Sequence, residues 1–286
     1  MSRERSVSEG SANPDNFCYR HPDRQSFVLC QRCGRTICAD CQTPAAVGVH
    51  CPECMRESRQ NAPRTKPAVV TSVRRLAQPG TPIVTYAIMA LCVIVFLLQL
   101  VTGVYGPVFQ ALAFQGSLAS TEPWRMLTAL FVHGSILHIL FNMFSLFVLG
   151  PELERMVGRW RFSALFLLSG LGGSVAVLLT SPNSAVIGAS GAIFGLFGAY
   201  FVIARHLGSN SRQLIVVIVI NLVIGFVVPG IAWQAHVGGL IIGALVAFAL
   251  VRTRGPQKRV LQLLLLAGIV TLLIVASVIG VQLIGA

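Results

Sequence analysis

The chain has 286 residues, 54% of them hydrophobic and only 11% charged, with a mean hydropathy of +0.73. A soluble domain carries about 25% charged residues, so a wholly soluble protein is excluded and an integral membrane protein with a polar front end is expected. The net charge of +12 would suit nucleic acid. The basic residues, however, flank hydrophobic runs, where the lipid bilayer and topology control account for them, and no nucleic-acid partner is expected.

Charge is unevenly shared along the chain. Residues 1–80 hold 12 Lys/Arg and 7 Asp/Glu, whereas 81–286 hold 10 and 3. Residues 1–16 read as a disordered tail. The first apolar run begins near Pro82, too late for a secretory signal. Seven of the eight cysteines fall between Cys18 and Cys54. With His21 they form four pairs: Cys18-x2-His21, Cys30-x2-Cys33, Cys38-x2-Cys41 and Cys51-x2-Cys54. Two-residue spacing lets one tight turn place both side chains on one ion. Four such pairs satisfy two tetrahedral zinc ions and leave no open position, so the ions are expected to be structural and catalysis to need none. Residues 17–56 are therefore expected to form a small domain whose folding energy comes largely from metal. Spacing alone leaves sequential and interleaved ligation open, and His50, beside Cys51, is an alternative ligand. Cys92, alone in an apolar run, reads as a packing residue.

Residues 57–80 are basic and proline-bearing and read as a flexible linker. Membrane spans follow, each needing about 20 apolar residues. The expected spans are Pro82 to Thr102, Ile136 to about Leu153, Phe162 to Thr180, Ala185 to Ala204, Leu214 to Val228, Trp233 to Leu250, and Val260 to about Ile284. The loops after the second, fourth and sixth carry Arg155, Arg159 and Arg161; Arg205 and Arg212; and Arg252, Arg254, Lys258 and Arg259. The turns after the third and fifth carry none. Positive loops stay inside, so a multi-pass protein of the cell membrane is expected, with the amino terminus and zinc domain cytoplasmic and the carboxy terminus extracytoplasmic.

Polar groups then converge on the outer face. His133, His138 and Asn142 fall at the start of the second span, Ser190 about five residues into the fourth, and His236 about three into the sixth. At about 1.5 Å per residue, Ser190 and His236 reach similar depths. Singly, each has an ordinary reading: a transmembrane serine bonds back to its own helix, and a core histidine is simply satisfied. Together they sit at the outer ends of two small-residue strips, Gly188, Gly191, Gly195 and Gly198 on one helix and Ala235, Gly239, Gly243 and Ala247 on the other. Such strips let backbones approach closely. A serine needs a base to attack a carbonyl, and His236 can serve. The acids beyond residue 80 are Glu122, Glu152 and Glu154, and the latter two belong to the inner face, so a Ser-His dyad is the economical reading. The Ser190 backbone, the Asn142 amide and His138 are available as oxyanion donors.

The quoted stretches resemble the rhomboid family of intramembrane serine proteases: Trp124-Arg125, His133-x4-His138-x3-Asn142, Gly188-Ala189-Ser190-Gly191, and Ala235-His236-x2-Gly239-x3-Gly243. The resemblance covers roughly residues 80–252. It implies an all-α polytopic fold with a six-helix core at 81–252; the seventh apolar run, within 253–286, departs from the simplest family form and is expected to add one transmembrane helix. It implies Ser190 as nucleophile, His236 as general base, and His138, Asn142 and Gly188 at the oxyanion and substrate-binding site. Trp124 and Arg125 match a structural motif of the first loop, and Glu154 matches a structural acid. Phe194 stands where relatives often place a tyrosine that stacks on the histidine. Single-span or other transmembrane proteins are the expected substrates, with a non-cleaving, client-binding relative as the alternative. The front domain resembles B-box or RING-like zinc domains. By that resemblance the first and third pairs share one ion, the second and fourth the other, and a protein partner is possible.

Overall fold

The computed structural model describes residues 14–45, 47–61, 81–209 and 211–285. They fall into two units, one within residues 1–71 and one within 72–286.

The first unit has almost no conventional core. Its buried apolar cluster consists of Cys18, Cys30, Ile37, Cys38, Cys41, Cys51 and Cys54. One aliphatic side chain cannot offset the ordering of some forty-five residues, so the cysteines must themselves hold the fold. Two short antiparallel ribbons carry them. Strand β1 (Phe17–Cys18) pairs with β2 (His21–Gln25), and β3 (Thr43–Pro44) pairs with β4 (Val49–His50). Helix α1 spans Pro52–Asn61. Proline suits its first position because that N–H has no helical partner. The helix continues past the expected domain end at residue 56. Arg32 ties it down through the Cys54 carbonyl at 3.2 Å and through Ser58. Residues 14–16, expected within a disordered tail, form a 3-10 turn. The rest of that tail and residues 62–80 of the expected linker lie outside the described residues.

The second unit is a helical bundle. Its helices are α2 (Ile83–Thr102), α3 (Pro107–Leu112), α4 (Arg125–Thr128), α5 (Ile136–Val157), α6 (Arg159–Thr180), α7 (Ser190–His206), α8 (Arg212–Val227), α9 (Trp233–Arg252) and α10 (Arg259–Gly285). Among the described residues, five segments are long and apolar enough to cross a membrane: α2, α5, α6, α9, and Pro256–Gly285, which contains α10. Together with the chain's composition they make this a multi-pass membrane protein. Helices α7 and α8 are shorter, at 17 and 16 residues.

Helix α7 departs most from the sequence expectation. Residues Ala185–Val186 were expected inside the span, yet they are strand β6, paired with β5 (Phe114–Gln115). Gly188 then turns the chain at φ +101°, a region that L side chains rarely adopt, and helix starts at Ser190. The serine is therefore the first residue of its helix, not the fifth.

The centre of the bundle is glycine packing between α6, α7 and α9. A Cβ on Gly239 would lie 1.9 Å from the Gly191 carbonyl oxygen, and one on Gly243 would lie 2.1 Å from that of Gly195. On the α6 side, a Cβ on Gly173 would lie 2.8 Å from the Ala235 carbonyl oxygen. With no water to squeeze out of a bilayer core, such close backbone packing is a main source of helix association.

Two buried polar groups fasten the periphery. The Glu154 carboxylate on α5 accepts from Val84 N at 3.0 Å, Thr85 N at 2.7 Å and Thr85 Oγ1 at 2.7 Å. It caps the start of α2, where unpaired N–H groups favour an anion. Gln99 on α2 is fully buried. It donates to the carbonyls of Val104 and His133 and accepts from His133 N.

Candidate active site

The site forms where the starts of α5, α7 and α9 meet. Ser190 Oγ and His236 Nε2 lie 3.0 Å apart, within hydrogen-bond distance. His236 is buried and Ser190 half-buried. With Nε2 facing the hydroxyl, a neutral imidazole carries its proton on Nδ1 and can accept the serine proton. Nδ1 itself is buried and has no hydrogen-bond partner among the described residues. Packing holds the ring instead. Phe194, one turn along α7, stacks on it with centroids 4.1 Å apart and planes at 10°. On α8, Gly225 comes so close that a Cβ there would lie 2.9 Å from Nδ1.

The approach to Ser190 is tethered by backbone bonds. Gly116 N donates to Pro182 O at 2.8 Å, and β5 pairs with β6. Gly188 N donates to Ala129 O at 2.9 Å. Arg125 anchors the long loop that supplies these partners. Its Nε meets Glu122 at 2.6 Å, and its Nη1 donates to the carbonyls of Gln110 and Ala113. Trp124 beside it is exposed. Ser174 on α6, which sequence reading passed over, donates to Met126 O at 2.7 Å and ties the same loop to the bundle.

The expected oxyanion residues gather around the pair, but not all as donors. Helix α7 begins at Ser190, so its first N–H groups have no acceptor within the helix and point their partial positive charge toward the site. His138 and Asn142 lie on the first turns of α5. Asn142 is buried; one amide N–H donates to His138 O at 2.8 Å, and its Oδ1 has no partner. Its second N–H stays available. The Gly188 N–H is already engaged with Ala129, so this glycine contributes space rather than a donor. A Cβ on it would lie 2.5 Å from His138 Nε2. His133 sits before α5, fully buried, edge-on to His138 at 5.1 Å. All these groups except His133 line one cavity of about 660 Å³ that also takes in Phe194 and Gly225.

In the first unit, the eight expected ligands sort into two sets: Cys18, His21, Cys38 and Cys41; and Cys30, Cys33, Cys51 and Cys54. Within each set the ligand atoms lie within 4.8 Å of one another. The pairs are thus interleaved, first with third and second with fourth. His50 belongs to neither set and pairs with Thr43 across β3–β4. The thiols oppose one another's ionisation. Burial works against a Cys18 thiolate, yet N–H groups from Cys38 and Arg20 and the His21 side chain outweigh it and bring the thiol down to about 6. Burial, reinforced by Cys18 and Cys38, pushes Cys41 up to about 11. Burial and the neighbouring thiols push Cys54 up to about 12. A bound divalent cation relieves this conflict by stabilising every thiolate at once, so both sets fit a metal ion.

A polytopic helical membrane protein with a serine and a histidine facing one another in an intrabundle cavity is thereby defined. Comparison with known proteins places it further. The Rhomboid domain family matches residues 120–253. The chain is 37% identical over 143 residues to the putative rhomboid protease YdcA of Bacillus subtilis, covering 48% of this chain and 72% of that protein. It is 37% identical over 203 residues to the rhomboid protease GluP of the same organism, covering 66% of this chain but 39% of the longer relative. It is 38% identical over 138 residues to RHOMBOID-like protein 5 of Arabidopsis thaliana, covering 45% of this chain and 44% of that protein. The chain belongs to the rhomboid family.

Proposed function

We propose that this protein is an intramembrane serine endopeptidase that cleaves transmembrane protein substrates with a Ser190–His236 dyad. The observation that carries this reading is the 3.0 Å approach of Ser190 Oγ to His236 Nε2 inside a cavity lined by further donors.

The chemistry follows from the groups present. Ser190 Oγ attacks the scissile carbonyl carbon while His236 Nε2 takes the hydroxyl proton. The carbonyl oxygen becomes an oxyanion, which the Ser190 backbone N–H, the free Asn142 N–H and a His138 ring N–H can stabilise. His236 returns the proton to the leaving amine as the C–N bond breaks, leaving an acyl-serine. Water, deprotonated by the same histidine, then releases the acid and restores the hydroxyl. No carboxylate takes part; Phe194 and Gly225 hold the imidazole by contact.

Loop charges support a topology in which the six-helix core spans residues 81–252, α10 adds a seventh crossing, and the site opens toward the extracytoplasmic face. In that arrangement residues 17–56, with two structural zinc ions, are cytoplasmic. The all-sulfur and sulfur–nitrogen ligand sets and the reducing compartment both favour zinc.

The deciding experiment uses full-length protein in proteoliposomes with a fluorescent single-span substrate whose helix is weakened by glycine. Wild type should release the soluble fragment, and Ser190→Ala should lower the rate by at least about 10³-fold while melting within a degree or two of wild type. Undiminished cleavage by that variant ends the assignment. Substrate capture without cleavage by wild type would instead make the chain a non-cleaving, client-binding member.

A further inference from the structure

A second, smaller cavity lies at the end of the bundle away from Ser190. Helix α5 runs for 22 residues, from Ile136 near His138 to Val157, about 33 Å along its axis. There Arg161 of α6, Arg254 and Gly255 of the α9–α10 turn, and Gln262 of α10 line one side of a partly open cavity of about 80 Å³, whose other side is apolar and comes from α5, α7 and α9. That is room for a small polar group or a few waters.

The charged side chains lining the cavity are both cations, and among the described residues no acid lines it. Nine of the ten Lys/Arg beyond residue 80 fall in three segments, 155–161, 205–212 and 252–259. The acids nearest in sequence are engaged elsewhere. Glu154 spends its carboxylate capping α2, and Glu152 accepts from Tyr200 Oη at 3.1 Å. Neither Arg161 nor Arg254 pairs with an acid among the described residues. Two arginines lining one cavity without an acid partner favour an anion between them.

One of them is also held in advance. Arg161 Nε donates to Gln262 Oε1 at 2.8 Å, its Nη1 donates to Val157 O at 3.3 Å, and its guanidinium lies 4.9 Å from the Trp160 ring centroid. Gln262 is 1% exposed and is fixed in turn by donating to Thr253 Oγ1 at 2.8 Å. The remaining Arg161 N–H groups stay open. A planar donor fork held this way matches phosphate oxygens in geometry as well as charge.

We propose that Arg161 and Arg254 form a phosphate-binding site, positioned by Gln262, whose ligand is the phosphate of an anionic phospholipid in the adjoining leaflet. Basic pockets between helix ends are where such headgroups are held in membrane proteins. Because Gln262 belongs to α10, the site needs the helix added beyond the six-helix core. Free phosphate presents the same chemistry and is distinguished below.

The test places the full-length protein in phosphatidylcholine nanodiscs with or without phosphatidylglycerol. Native mass spectrometry then counts retained lipid, and thermal melting is followed in parallel. Wild type should retain phosphatidylglycerol and melt higher in its presence. Arg254→Gln should lower retention roughly tenfold, as expected for one lost charge-assisted contact, and should abolish the melting shift. Arg161→Gln should do the same; if it fails to fold, the exposed Arg254 carries the test. Arg205→Gln removes the same charge outside the cavity and should behave as wild type. Inorganic phosphate added to phosphatidylcholine discs forms the second arm. A shift with phosphate alone, lost in Arg254→Gln, assigns the site to a free anion and overturns the lipid as ligand. Equal retention by wild type and Arg254→Gln, or equal loss in Arg205→Gln, overturns the site itself, as does no response to either ligand.

Discussion

Gly239→Ala should disable the site by moving a helix rather than by touching a reacting group. The added Cβ would lie 1.9 Å from the Gly191 carbonyl oxygen, whereas ordinary contact begins at 3.4 Å, a shortfall of about 1.5 Å. The obstacle is backbone, so no rotamer change relieves it, and α7 and α9 must part. Gly191 follows Ser190 directly, and Gly239 lies three residues beyond His236, about 4.5 Å along the axis. The wedge therefore opens almost at the pair. If half the shortfall reaches it, the 3.0 Å contact stretches to about 3.7 Å, too long for a hydrogen bond. Misplacement on this scale costs about 10²-fold in rate, and overpacking costs about 1–3 kcal/mol of stability. Cleavage of the single-span substrate and thermal melting should both fall. Gly268→Ala is the control. Among the described residues, nothing beyond its own stretch of helix lies within 4 Å of the Cβ it adds to α10, so activity should hold and the helix should gain about 1 kcal/mol. Cleavage within twofold of wild type by Gly239→Ala, with unchanged melting, would refute the claim that backbone contact sets the distance between serine and histidine.

Gly188→Ala combines a φ of +101° with a Cβ 2.5 Å from His138 Nε2. It should cost about 1–3 kcal/mol in strain and lower cleavage more than melting, because the displaced ring belongs to the site. Glu154→Gln keeps the shape of the α2 cap but removes its charge. Melting should drop by an amount equivalent to about 1–3 kcal/mol, and cleavage measured well below the transition should stay near wild type. A strong zinc chelator should expose residues 14–61 of the full chain to limited proteolysis while the helices stay protected. Resistance of that segment after metal removal, checked by mass spectrometry of the fragments, would contradict metal as its main source of folding energy.

The long helices were legible because apolar length and flanking charge are properties of single segments. The four Cys/His pairs are legible for the same reason, but their sorting into two clusters is not. The two-residue spacing defines a pair and says nothing about which pairs meet; β1–β2 and the turn at 39–41 decide that. The start of α7 is not legible, because Ala185 to Ile187 is as apolar as the helix that follows. What ends the helix there is the pairing of β6 with β5, some seventy residues away in sequence, and the conformation of one glycine. Gln99, Ser174 and Gln262 were also passed over. Their signal was present, since each is a polar residue isolated in an apolar run, and such residues are costly in a bilayer unless satisfied. Each proves to be a tie between elements, a role that depends on partners the local sequence cannot name.

The absence of a carboxylate behind His236 has a packing explanation. A carboxylate orients an imidazole by accepting from Nδ1 and steadies the charge that develops on it. Here Nδ1 is buried and unpartnered, so orientation must come from shape. Phe194 covers the ring with its planes only 10° from parallel, and Gly225 approaches the Nδ1 side at a distance no side chain would allow. In the proposed mechanism the aromatic face would also attract the imidazolium formed when His236 takes up the serine proton. Two of the three helices around the ring meet through glycine at backbone distance, which leaves little freedom for the imidazole to tilt. In that mechanism contact would replace the first duty of a carboxylate, and the ring quadrupole part of the second, without a second charge beside the pair.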